Sequence, residues 1–198
     1  MDDLPGVMVM VRFTVFGKFI GLGVSAILLS AASFASPSLN NTAQATATPL
    51  QQLQTHGRYH LTWFGLSIYD ITLWTSEQPF RFAVDQKPSP FALEIRYKID
   101  VDADDLIEET RDQWQELALL NDDAKRWLQQ LPQIWPDIKE GDRLVMFVDE
   151  SLQTRFYHND RFVGQIDDAA FATRFSAIWL AEGAEYPDMR KALLALRS

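Results

Sequence analysis

The chain has 198 residues and a formal net charge of −9; 47% of it is hydrophobic, 12% is aromatic, and it contains no cysteine. Those numbers fit one globular domain of ordinary size plus an extension. They exclude disulfides, thiolate catalysis and cysteine metal sites, and without a basic stripe they argue against nucleic acid and against adsorption to an anionic membrane surface.

Arg12 and Lys18 precede the apolar run Phe19 to Leu29, and Ser30-Ala31-Ala32-Ser33-Phe34-Ala35 follows with small residues at Ser33 and Ala35. A positive start, a short apolar core and a small-x-small site make a secretory signal over 1–35, with cleavage expected after Ala35. The run is too short and too rich in Gly, Ala and Ser to favour an uncleaved anchor, so no stable membrane insertion is expected after cleavage. Asp2 and Asp3 are unusual before such a segment, and Met10-Val11-Arg12 offers a tidier translation start; the mass of the precursor distinguishes the two. With no cysteine at the cleavage site the product is not a lipoprotein. It is expected to be exported and soluble, and periplasmic in a Gram-negative cell. Residues 36–55, rich in Ser, Thr, Asn, Gln and Ala, read as a flexible leader. The folded domain is expected over 56–198, with no further linker or repeat.

Tyr59 to Phe64 reads as a strand that Gly65 turns into the next one, Leu66 to Trp74. Strict alternation on this second strand puts Leu66, Ile68, Thr72 and Trp74 on one face and Tyr69, Ile71 and Leu73 on the other. Asp70 then falls on the first face, between Ile68 and Thr72, and a carboxylate in an apolar strand must be paired, hydrogen-bonded or protonated. Asp70 is therefore expected to be a structural polar anchor, accepting N–H bonds at a bulge or pairing with an arginine. Phe80 to Val84 is a short strand candidate. Phe91 to Lys98 alternates cleanly, with Leu93, Ile95 and Tyr97 inward and Glu94, Arg96 and Lys98 on a solvated face.

At Asp102 the pattern becomes helical. Asp102, Asp104 and Asp105 suit a helix N-terminus, and Ile107, Trp114, Leu117 and Ala118 make its apolar stripe, leaving Glu108 and Glu109 on the polar side. Asn121-Asp122-Asp123 caps a second helix carrying Trp127, Leu128, Leu131 and Ile134, which Pro132 and Pro136 shorten. A second β block follows: Arg143 to Val148, Thr154 to His158, a tight Asn159-Asp160 turn, and Arg161 to Ile166. Asp167 or Asp168 caps a third helix with Phe171, Phe175, Ile178 and Trp179 on one face. Pro187 opens a last helix with Met189, Ala192, Leu193 and Leu196. Strands, helices, strands, helices in that order predict an α+β fold, an antiparallel sheet with helices packed on one side.

The familiar catalytic signatures are missing: no Gly-rich phosphate loop, no G-x-S-x-G elbow and no H-E-x-x-H helix. His56 and His60 are four apart in an extended segment without an evident third ligand, so ordinary strand-edge histidines are expected there rather than a zinc site. His158 is expected to be exposed beside its turn. No catalytic residue, metal ligand or cofactor is assigned.

Taken in order, several segments resemble the bacterial chalcone isomerase-like proteins. They are Phe64-Gly65 through Tyr69-Asp70 and Leu73, Phe91-Ala92-Leu93 with Arg96-Tyr97, and Trp135-Pro136-Asp137. They continue with Gly141-Asp142-Arg143-Leu144, Gly164-Gln165-Ile166-Asp167, and Phe171 with Phe175 to Leu180. The resemblance implies the chalcone isomerase-like open-faced β-sandwich, a large antiparallel sheet covered by helices. It also implies two kinds of relative: plant enzymes that cyclise chalcones around an apolar cleft with an arginine and polar residues, and non-catalytic members that hold a fatty-acid carboxylate with an arginine and a tyrosine. Carried onto this chain, it points to Arg58, in Gly57-Arg58, and to Tyr69 on the next strand as ligand-binding residues. The register nearest Gly65 places Leu61 or Thr62 where the plant arginine stands, which ranks catalysis below binding.

Three readings stay open: a module binding a small apolar ligand such as a fatty acid, a cofactor-independent intramolecular lyase of the chalcone isomerase type, and an exported structural or interaction module without a ligand, its protein partners unnamed by the sequence.

Overall fold

A computed structural model describes residues 49–84 and 86–196; the expected signal and most of the expected leader lie outside them. Strands β1 (Gln54–Trp63), β2 (Leu66–Thr75), β3 (Phe91–Tyr97), β4 (Arg143–Val148), β5 (Thr154–His158) and β6 (Arg161–Ile166) form one antiparallel sheet whose spatial order is the chain order. Helices α1 (Ala103–Glu116) and α2 (Asp122–Gln130) are inserted between β3 and β4, while α3 (Ala169–Leu180) and α4 (Pro187–Leu193) follow β6. The result is the α+β architecture that the element order predicts, with every strand neighbour reached by a hairpin or a helical excursion on one side.

Period-2 patterning decides which side. Ile71 and Leu73 of β2, Phe91, Leu93 and Ile95 of β3, Leu144 and Met146 of β4 and Phe156 of β5 join Trp114, Trp127, Phe171 and Phe175 of the helices in one buried cluster. Aromatic rings dominate its centre: Phe171 and Phe175 stack at 5.3 Å, the rings of Trp114, Trp127 and Phe156 meet them edge-on, and Trp135 lies tilted against Phe175. Each such side chain removed from water is worth roughly 1.5–3 kcal/mol. The indole N–H groups also tie the helices together, Trp114 donating to the Arg174 carbonyl (2.9 Å) and Trp127 to Asp168 (3.1 Å).

Local chemistry sets the boundaries. Asn121 accepts from the Ala124 N–H to cap α2, and Asp168 accepts from the Ala170 N–H to cap α3. The hairpin turns run through left-handed residues, Phe64 and Gly65 between β1 and β2, and Asn159 and Asp160 between β5 and β6. Gly57 is required for another reason: the end of α4 lies directly on β1, and a Cβ there would stand 2.2 Å from the Ala192 carbonyl oxygen.

Several expectations change. Residues at the end of the expected leader are structured: Pro49–Gln52 make a 3-10 turn, and Leu53 is buried with Ala92, Val145, Phe147 and Tyr157 on the far face of the sheet. Phe80 to Val84 is not a strand, because β2 pairs directly with β3, and Phe80 instead packs on Phe91 and the His56 ring. Ala118 lies past the end of α1 in the left-handed region, and Leu196 is exposed beyond α4. His158 is not free: its Nε2 lies 2.9 Å from Asp142, which the Asn159 amide, the Lys139 N–H and His158 together hold at a pKa of about 2. Strict alternation in β2 also fails at one point, since Leu61 pairs with Tyr69 but Thr62 pairs with Ser67. Ile68 is the extra residue of a β-bulge and is buried, while Ser67 turns to the outer face with Asp70.

Candidate functional site

Tyr69 sits on the helix-facing side of β2, where α3 and α4 cross the sheet. Its hydroxyl accepts from the Trp179 indole N–H (3.3 Å) and points at the Met189 sulfur (3.9 Å). The Tyr97 ring meets it edge-on at 6.2 Å. Burial pushes the Tyr69 hydroxyl well above the ordinary tyrosine range, outweighing the opposite pull of the Trp179 N–H. It therefore stays protonated and keeps both a donor and an acceptor function.

Beside it, α1 turns two polar positions inward, Thr110 and Gln113. Gln113 is buried and its amide nitrogen donates to Glu109 (3.0 Å) and to Glu185 (2.6 Å), joining α1 to the segment before α4. Glu109, expected on the solvated side of α1, is half-buried. Burial raises its carboxyl above the usual range, and Glu185 adds to the shift by repulsion. Burial raises Glu185 as well, and Tyr186, the next residue along, has its hydroxyl raised by burial and by the Glu185 charge. Two carboxyls thus share one amide at the rim of an apolar layer, an arrangement that favours holding a proton between them.

Arg58 is not part of this site. It is exposed, pairs with Thr72 on the outer side of β1 and donates to Thr55 Oγ1 (3.3 Å). The structure thus puts Arg58 and Tyr69 on opposite faces of the sheet, because Arg58 pairs with Thr72, which lies three residues from Tyr69 on β2 and shares the face of Asp70. An intramolecular lyase would need a cation to stabilise an oxyanion on the Tyr69 side, and Arg58 does not provide it. The charge of Glu109 also reaches Tyr69 and adds to the upward shift of its hydroxyl.

Asp70 also lies on the outer face, 43% exposed rather than enclosed by apolar side chains. Its partners are Lys98 Nζ (2.7 Å) and His60 Nδ1 (2.6 Å), not an arginine. The hydrogen bond from Lys98, with His60 second among the attractions, holds the Asp70 carboxyl below its ordinary range. Further along the same face Glu94 accepts from Trp74 Nε1 (2.8 Å) and Arg143 (3.1 Å), so the supposedly solvated strip carries an ion pair only 12% and 18% exposed. His56 faces inward and His60 outward, so the two histidines do not meet, and among the described residues no group of three ligating side chains could hold a metal.

Neither Glu109 nor Glu185 was legible as a site residue. Glu109 lies four positions before Gln113, one turn of α1, but Glu185 is brought to them only by the packing of α3 and α4.

An open antiparallel sheet with its helices on one face and an aromatic-polar seam between the layers defines the class of protein. The family described as chalcone isomerase-like matches residues 31–195, and the chain belongs to that family. Among solved structures a fatty-acid binding protein of Arabidopsis thaliana is similar in fold, with a TM-score of 0.57 and 8% identity over 73% of this chain and 87% of that one. No curated protein matches the sequence.

Proposed function

We propose that this chalcone isomerase-like domain binds a small apolar ligand between the sheet and α3–α4, with the Tyr69 hydroxyl and the Trp179 N–H as its polar handle. The observation that carries the reading is that pair of hydrogen-bonding groups, set against Met189 and the Tyr97 ring. Such a composition, mostly apolar with a few placed polar groups, is what small-ligand sites share. Met189 is unbranched and adaptable, and it is the side chain that gives way to a ligand. The similar fatty-acid binding protein supports a fatty acid as the ligand class.

The neighbouring Glu109 and Glu185 set a condition on that ligand. A carboxylate headgroup would meet the acidic Glu109 and Glu185, so the bound species is the protonated acid or a neutral head such as an alcohol or ester. Titration of the purified protein with oleate and with oleyl alcohol, followed by native mass spectrometry, tests this. Oleyl alcohol binds at neutral pH, oleate binds more tightly as the pH is lowered, and Tyr69→Phe weakens both. Recovery of ligand-free protein under all these conditions refutes the binding reading and favours the structural or interaction module. Export rests on the signal read over 1–35; a mature chain beginning at Ser36 in the exported fraction is the expected result.

A further inference from the structure

The outer face of the β1–β2 hairpin carries a second constellation, independent of the ligand reading. The bulge at Ile68 turns Ser67 to the same face as His60 and Asp70. His60 Nε2 is 3.1 Å from Ser67 Oγ, and His60 Nδ1 is 2.6 Å from Asp70 Oδ1. Lys98 Nζ holds the other oxygen, Oδ2, at 2.7 Å. Asp70 is ionised and can only accept, so the ring proton of neutral His60 sits on Nδ1 and the Nε2 lone pair faces the serine hydroxyl. A hydroxyl, a base within hydrogen-bond reach and a carboxylate orienting the base are the parts of an activated nucleophile, recognised by geometry and not by chain order. β-bulges recur beside active sites because they re-aim one side chain, and here the re-aimed side chain is the nucleophile.

We propose that Ser67 is an acyl-accepting nucleophile with His60 as its general base, acting on activated esters or thioesters. Ser67 Oγ attacks the acyl carbonyl as its proton passes to His60 Nε2. The carbonyl–heteroatom bond then breaks, and His60 returns the proton to the departing alcohol or thiol. Water, deprotonated by the same imidazole, releases the acid and restores the serine. Asp70 is a positioning residue: it fixes the ring orientation and tautomer, and Lys98 fixes Asp70. On an open strand surface the general base contributes about 10²–10⁴-fold, so a substrate with a good leaving group is required.

The test is incubation of the purified chain with a fluorophosphonate probe and, separately, with p-nitrophenyl octanoate, with modified sites mapped by peptide mass spectrometry. The probe adds to Ser67, Ser67→Ala abolishes the adduct, and His60→Ala slows it by about 10²-fold or more. Asp70→Asn slows labelling with the fold kept, and Asp70→Glu restores part of it. An absent Ser67 adduct overturns the proposal. So does octanoate hydrolysis that persists undiminished in Ser67→Ala, which would make the exposed imidazole itself the nucleophile. All three side chains lie on the solvated face, and circular dichroism of each variant checks that the fold is kept.

Discussion

Replacing Gly57 by alanine tests how α4 is held, and with it one wall of the ligand seam. The added Cβ would stand 2.2 Å from the Ala192 oxygen and 2.3 Å from the Leu193 oxygen, whereas relaxed carbon–oxygen contacts begin at about 3.3 Å. One element must therefore retreat by roughly 1 Å, and because both opposing atoms are backbone, no side-chain rotation relieves the clash. Overpacking of this kind costs about 1–3 kcal/mol. The ceiling is set by undocking α4 altogether, which would expose Met189 and Leu193, now 1% and 0% accessible. At roughly 1.5–3 kcal/mol each, that amounts to about 3–6 kcal/mol. We expect a loss near 3 kcal/mol, seen in urea denaturation as a lower midpoint at unchanged slope, and in a thermal midpoint lower by about 6–12 °C. Hydrogen exchange should accelerate first in α4. A loss below about 0.5 kcal/mol with α4 protection unchanged would show that α4 does not rest on β1 as described.

The acidic pair gives a pH dependence of definite sign. Glu109 and Glu185 both bind a proton more tightly folded than unfolded, so stability falls as pH rises from the ordinary carboxylate range through their raised values and stays reduced above them. Glu109→Gln and Glu185→Gln should each stabilise the protein at neutral pH and have little effect in acid, read from denaturation midpoints across pH. On the outer face, Arg143→Ala should cost about 2–3 kcal/mol, because it strands Glu94 in a largely enclosed position; Glu94→Gln, which keeps an acceptor for Trp74, should cost less in the same assay. Asn121→Ala should cost about 1 kcal/mol by removing the cap of α2, with the loss recorded in chemical denaturation.

Much of the fold was legible because its signals are local. Period-2 runs, the Asn159-Asp160 turn, the Asn121 and Asp168 caps and Pro187 at the start of α4 each act within a few residues, and tertiary packing did not override them. Phe80 to Val84 misled because an apolar cluster reads alike whether it pairs as a strand or plugs the sheet end from a loop. The assignment of Asp70 to an apolar surrounding failed for a related reason: alternation says which face a residue shares, not what else covers that face.

The sequence by itself determined the α+β class, five of the strand-bearing runs after Gly65 and the face that Tyr69 shares with Ile71 and Leu73, since hydrophobic periodicity and capping are properties of short windows. Only the tertiary structure decided which side chains meet. One bulged residue, Ile68, carries Ser67 across the strand to His60, and the docking of α4 carries Glu185 to Gln113, 72 residues away. Register and docking depend on contacts distant in the chain, so no local pattern encodes them.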